Sequence, residues 1–169
     1  IDYLPSPLDI GKIKGEDEMG NELYREPKAS EHFCALAFKI MTDPYVGRLT
    51  FFRVYSGKIS TGEFLLNPNT GKKERVGRLM LMHSNKREER KTVTCGEIAA
   101  IVGLKNTKTG HTLCSVDQPI LLESMEFPDP VISIAVEPVS KDGQDALSNG
   151  LIKLAEEDPT FVVKSDEDT

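Results

Sequence analysis

Apolar and polar positions follow three rhythms along the 169-residue chain. Residues 1–32 keep no period, because Pro5, Pro7, Gly11, Gly15, Gly20 and Pro27 interrupt each run before an element can grow. Residues 1–29 therefore read as a linker with at most one short helical turn. From Phe33 onward, short runs of strand length alternate with turn residues. Phe33–Ile40 is apolar, and Arg48–Tyr55 alternates so that Leu49, Phe51 and Arg53 share one face. Glu63–Leu66 precedes the turn Asn67-Pro68-Asn69-Thr70-Gly71, in which Pro presets φ and Asn or Gly tolerates positive φ. Lys73–Met82 reads as one long strand, and His83–Lys91 as a charged loop. Ile98–Leu104, Thr112–Cys114 and Ile120–Leu122 complete the set. Six or more short strands with frequent turns predict a small antiparallel barrel or sandwich over residues 30–125. Phe51, Phe52 and Phe64 are assigned to its core, which leaves no evident aromatic stacking platform.

The third rhythm begins near Phe127-Pro128-Asp129-Pro130. Val131–Glu137 alternates with β-branched residues and predicts a strand. Lys141–Glu157 then carries Leu147, Leu151 and Leu154 on one helical face. Ser140 is placed to cap this helix, and Asp142 and Asp145 suit its positive end. Asp158-Pro159 stops it, and Thr160–Lys164 predicts another strand. Residues 126–169 thus read as β-α-β, which offers little core by itself.

Charge changes the picture more than composition does. The formal net charge is −6, which taken alone argues against a nucleic-acid partner. Yet residues 39–91 hold 12 basic and 5 acidic side chains, whereas residues 123–169 hold 3 and 12. The basic middle coincides with the predicted β-domain, so its cations are candidates for phosphate contacts that need no base readout. The bland alternative is a solvated face. No apolar run approaches the roughly 20 residues of a membrane-spanning helix. The start has no signal-peptide features and no Met, so the chain is expected to be a mature or excised piece. The three cysteines, Cys34, Cys95 and Cys114, have no metal-ligand spacing and read as reduced thiols in apolar surroundings.

Catalytic motifs are missing. No glycine-rich phosphate-binding loop ends in Lys followed by Ser or Thr, so Asn85-Lys86-Arg87-Glu88 is only superficially like a guanine-reading motif. Neither a nucleophile elbow nor a zinc-protease pattern occurs. The chain is expected to catalyse nothing by itself and to hold no cofactor or metal.

Several stretches resemble elongation factor G, the translational GTPase family of ribosomal translocases. They include Asp2-Tyr3-Leu4-Pro5-Ser6-Pro7, Asp43-Pro44-Tyr45-Val46-Gly47-Arg48-Leu49 and Arg53-Val54-Tyr55-Ser56-Gly57. Lys73-Glu74-Arg75-Val76, Val102-Gly103-Leu104-Lys105, Glu126–Ile132 and Leu154–Phe161 continue the likeness. It covers nearly the whole chain except roughly Gly15 to His32. The resemblance implies that residues 1–29 link from a GTP-binding domain and that residues 30–125 are the β-barrel second domain. Residues 126–169 would be the start of a ferredoxin-like third domain.

The resemblance further implies docking on small-subunit rRNA and a small-subunit ribosomal protein in the cytoplasm, with no membrane or DNA partner. GTP and magnesium would belong to the GTP-binding domain of the same parent chain. By position, Arg53, Arg75, His83, Lys86 and Arg87 become candidate rRNA contacts. Pro128, Pro130, Asp158 and Thr160 match the junction between the third and GTP-binding domains. Two alternatives remain: the equivalent piece of a related ribosomal GTPase, such as a ribosomal-protection protein or release factor, and an autonomous RNA-binding barrel.

Overall fold

The computed structural model describes residues 5–83 and 86–164. The chain divides into two units, 1–124 and 125–169. The first holds a short helix α1 (Pro7–Ile10) and the strands β1 (Ile13–Glu16), β2 (Glu22–Arg25), β3 (Cys34–Asp43), β4 (Gly47–Ser56), β5 (Lys58–Ser60), β6 (Phe64–Asn67), β7 (Lys72–Arg75), β8 (Leu79–His83), β9 (Lys86–Arg90), β10 (Thr92–Thr94), β11 (Ile98–Val102), β12 (Thr112–Cys114) and β13 (Leu121–Leu122). Eight of them form one antiparallel sheet in the order β7-β6-β12-β3-β4-β11-β8-β9. Two smaller antiparallel sheets, β13-β1-β2 and β10-β5, complete the unit.

The largest of three apolar clusters joins most of these strands. Phe52 and Val54 of β4, Leu65 of β6, Ile101 of β11 and Leu113 of β12 are fully buried, and Ile59 and Val93 of the β5–β10 pair join the same cluster. Phe33 meets Phe52 edge to face, with centroids 6.4 Å apart, a favoured ring geometry. The chain packs tightly where β4 passes into β5. A Cβ on Gly57 would lie 2.5 Å from the backbone nitrogen of Phe33, and its φ of 71° is left-handed, so only glycine fits.

In the first unit, four features depart from the sequence reading. The expected linker is partly structured: α1 begins with a capping box between Ser6 and Asp9, and β1 and β2 form a hairpin that pairs with β13. Gly15 serves close approach, since a Cβ there would lie 2.6 Å from the Leu121 carbonyl. The long strand over 73–82 splits into β7 and β8, because the chain passes from β6 to β11: Val76 donates its N–H to the Glu63 carbonyl, and the Arg78 carbonyl accepts from Val102. The charged loop becomes β9, an edge strand whose charges suit an unpaired edge. Finally, Phe64 is 60% exposed rather than in the core.

In the second unit, helix α2 spans Lys141–Glu157 as its periodicity predicts. The Ser140 hydroxyl accepts the Gly143 N–H at 3.3 Å, and the Asp158 N–H closes the other end on the Leu154 carbonyl. The segments 131–137 and 160–164 pair with no strand, although their alternation suits one. A strand needs a neighbour for its backbone groups, and a split β-α-β leaves its two strands apart. Among the described residues no helix is long and apolar enough to cross a membrane.

Candidate RNA-facing surface

The turn between β3 and β4 is built on a buried carboxylate. Asp43 is 6% exposed, and its Oδ1 accepts the N–H groups of Tyr45 and Val46, each at 2.9 Å. The guanidinium of Arg87, from β9, binds both carboxylate oxygens. The Tyr45 N–H is the largest influence on the Asp43 carboxyl, and with the Val46 N–H and Arg87 it holds the group below the ordinary carboxylate range despite burial.

A second buried carboxylate organises the loop between β11 and β12. Glu74 Oε2 accepts the N–H of Lys105 at 2.6 Å and of Asn106 at 3.0 Å, and Oε1 accepts the Thr107 hydroxyl at 2.7 Å. Burial pushes the Glu74 carboxyl up, but these donors outweigh it and hold the group below its ordinary value. Arg48 donates to the carbonyls of Lys105 and Thr107, and Lys72 donates to Asn106 Oδ1 at 2.9 Å. His111 Nδ1 accepts the Lys108 N–H at 3.2 Å and faces Asn67 Nδ2 at 3.0 Å, so its proton belongs on Nε2.

These contacts join the β3–β4 turn, β7 and the 103–111 loop. The Gly103 N–H also donates to the Arg48 carbonyl at 3.0 Å. The arrangement sorts charge by depth. Asp43 and Glu74 are inside and satisfied, whereas Lys72, Lys105 and Lys108 are exposed. Such a surface offers positive charge to solvent without competing surface carboxylates from these elements.

Of the candidate contacts with described side chains, Arg53, Arg75 and Arg87 stand on three different strands, β4, β7 and β9. Arg53 lies half-buried in the middle of β4 and donates to the Pro5 carbonyl at 3.3 Å. Arg75 is exposed on the edge strand β7, opposite Phe64, and donates to the Gly62 carbonyl. Arg87 is engaged by Asp43. The side chains of His83 and Lys86 lie outside the described residues. Lys105 and Lys108 escape the sequence reading, because their stretch carries no basic excess to compare with residues 39–91, and the Glu74, Lys72 and Arg48 contacts are what hold it at this surface.

In the second unit, Asp158 Oδ1 accepts both the N–H and the hydroxyl of Thr160, at 2.8 and 2.7 Å. Pro128 and Pro130 lie exposed ahead of α2. A separate open cleft of about 910 Å³ in the first unit is lined by His32, Lys58, Lys73 and Phe64 together with Glu31 and Glu63. Its mixed signs select no single ligand charge.

Comparison with known proteins gives these surfaces a context. Residues 47–114 match the family described as elongation factor Tu domain 2. Residues 127–169 match elongation factor G, domain III. A Thermus thermophilus protein of known crystal structure shares the fold, with a TM-score of 0.68 and 24% identity over 82% of this chain. The chain spans 21% of that protein's length. The β-domain and the segment after it are therefore those of a translational GTPase. With a domain III match placed directly after the β-domain, the chain is of elongation factor G type.

Proposed function

We propose that this chain is the non-catalytic, ribosome-docking part of a translocase that moves tRNA and mRNA, driven by GTP hydrolysis. Its first unit rests on small-subunit rRNA in the cytoplasm. Its second unit faces a small-subunit ribosomal protein and the GTP-binding domain of the same parent, with Pro128, Pro130, Asp158 and Thr160 at that junction. GTP and magnesium bind to that other domain. One observation carries this reading: Asp43 and Glu74 are buried at this end of the first unit, while Lys72, Lys105 and Lys108 beside them point outward. A duplex RNA surface would be held by such cations through its phosphates. Arg53, Arg75, His83, Lys86 and Arg87 remain the proposed contacts, and Arg87, partly exposed, also braces Asp43.

Binding of the full chain to isolated small ribosomal subunits at low and high salt tests this. Charge reversal of Arg75 and Lys86 is expected to weaken binding strongly at low salt and little at high salt. Unchanged affinity at both salts would remove the rRNA assignment. Binding of a labelled GTP analogue by the chain would contradict its non-catalytic role.

A further inference from the structure

We propose that Tyr45 is a stacking platform for an unpaired RNA base. The proposal rests on the reading of this end of the first unit as RNA-facing. Tyr45 is 90% exposed, the most exposed large apolar side chain among the described residues of that unit. A tyrosine in that position adds nothing to the core. Its backbone is nevertheless held firmly: the Asp43 carboxylate binds the N–H groups of Tyr45 and Val46, and Arg87 braces that carboxylate. Pro44 restricts the chain on the other side. A buried carboxylate, braced by a partly exposed arginine, thus fixes a turn whose outward product is an aromatic ring.

The surroundings supply the rest of a single-strand site. Arg48, three residues on, ties the turn to the loop carrying Lys105 and Lys108. Cations that take phosphates beside a ring that takes a base form the usual arrangement for unpaired RNA. Tyrosine suits the task, because it has only two side-chain torsions to immobilise. Bases in a continuous duplex are already stacked on one another, so the ring discriminates between unpaired and paired RNA.

The test uses the full chain and two labelled RNAs of equal charge: a hairpin with an adenine loop and a fully paired duplex. Tyr45→Ala is expected to weaken loop binding about 5- to 150-fold and to leave duplex binding within about twofold. Tyr45→Phe keeps the ring face and the affinity. Because the chain has no tryptophan, Tyr45→Trp introduces a single indole, whose fluorescence the loop RNA should quench and the duplex should not. Lys105→Glu with Lys108→Glu should weaken both RNAs. If that pair weakens both and Tyr45→Ala changes neither, the stacking proposal fails and the RNA-facing surface stands. If the chain binds neither RNA, both fail.

Discussion

Arg87 holds the buried carboxylate of Asp43 through both terminal nitrogens, Nη1 at 3.3 Å from Oδ1 and Nη2 against Oδ2. β9 thereby anchors the turn between β3 and β4, 44 residues away in sequence. A cation that sequence marks for RNA also braces a turn of the protein, its side chain still 34% exposed. Arg87→Ala is therefore expected to lower the urea midpoint of unfolding, since it strands a buried acid. Arg87→Ala combined with Asp43→Asn should recover part of that loss, because no uncompensated charge remains. Independent, additive losses would show that the pair does not act as a unit.

Glu74 is the acceptor for two backbone N–H groups, one hydroxyl and, at 3.5 Å, the Asn106 amide of the 105–107 loop. Glu74→Ala leaves two backbone donors and one hydroxyl without their acceptor, at a cost of about 2–3 kcal/mol. Chemical denaturation measures this. A change below about 0.5 kcal/mol would mean that water replaces the carboxylate freely.

His111 makes stability depend on pH in a defined window. Burial lowers its pKa below the ordinary 6.5, and Lys108 adds to the effect. The unfolded chain therefore takes up the proton first. Stability is full above 6.5 and falls as the pH drops through that value toward the folded pKa. Protonation would also set a donor on Nδ1 against the Lys108 N–H. The loss precedes that from Glu74, which begins only below 4.5. Thermal melts across this range should show the slope in the native chain and lose it in His111→Gln.

Two glycines separate strain from collision. Gly57 and Gly71 both have left-handed φ, 71° and 67°. A Cβ on Gly71 meets nothing within 4 Å, whereas on Gly57 it meets backbone atoms at 2.5–2.6 Å. Gly71→Ala should cost about 1–2 kcal/mol, the left-handed penalty alone. Gly57→Ala should cost more than twice that or abolish folding. Equal melting temperatures for the two variants would contradict the packing of Phe33 against Gly57.

The two units should also be separable in solution. A chain ending at Ser124 is expected to melt cooperatively, since its apolar clusters all lie within one compact unit. A non-cooperative melt would place part of those clusters' stability in the second unit.

Much of the fold is legible in local pattern. Arg48–Tyr55 alternates, and β4 follows it. Ser140 and Asp158 bracket α2 because caps are local chemistry. Elements that depend on distant partners were not legible. β1 and β2 are short and glycine-broken, and they exist as a sheet because β13, about a hundred residues later, supplies an edge. Phe38 illustrates the same limit within β3. Ala37 faces Phe52 and Lys39 faces Phe51, so Phe38 is an extra residue that turns outward, its ring 6.5 Å from that of Phe51.

The sequence by itself determined the antiparallel β class, the helix and its ends, and the concentration of basic charge in residues 39–91. These follow from spacing and composition, which neighbours along the chain suffice to express. Only the tertiary structure decided which charges face water. Asp43, Glu74 and Arg87 all stand in the basic stretch, yet two are buried acceptors and the third is a brace. Lys105 and Lys108 stand outside the stretch and join its surface. The physical reason is that a charge's role is set by its partners and its burial. Both are fixed by strand pairing between residues far apart in the chain.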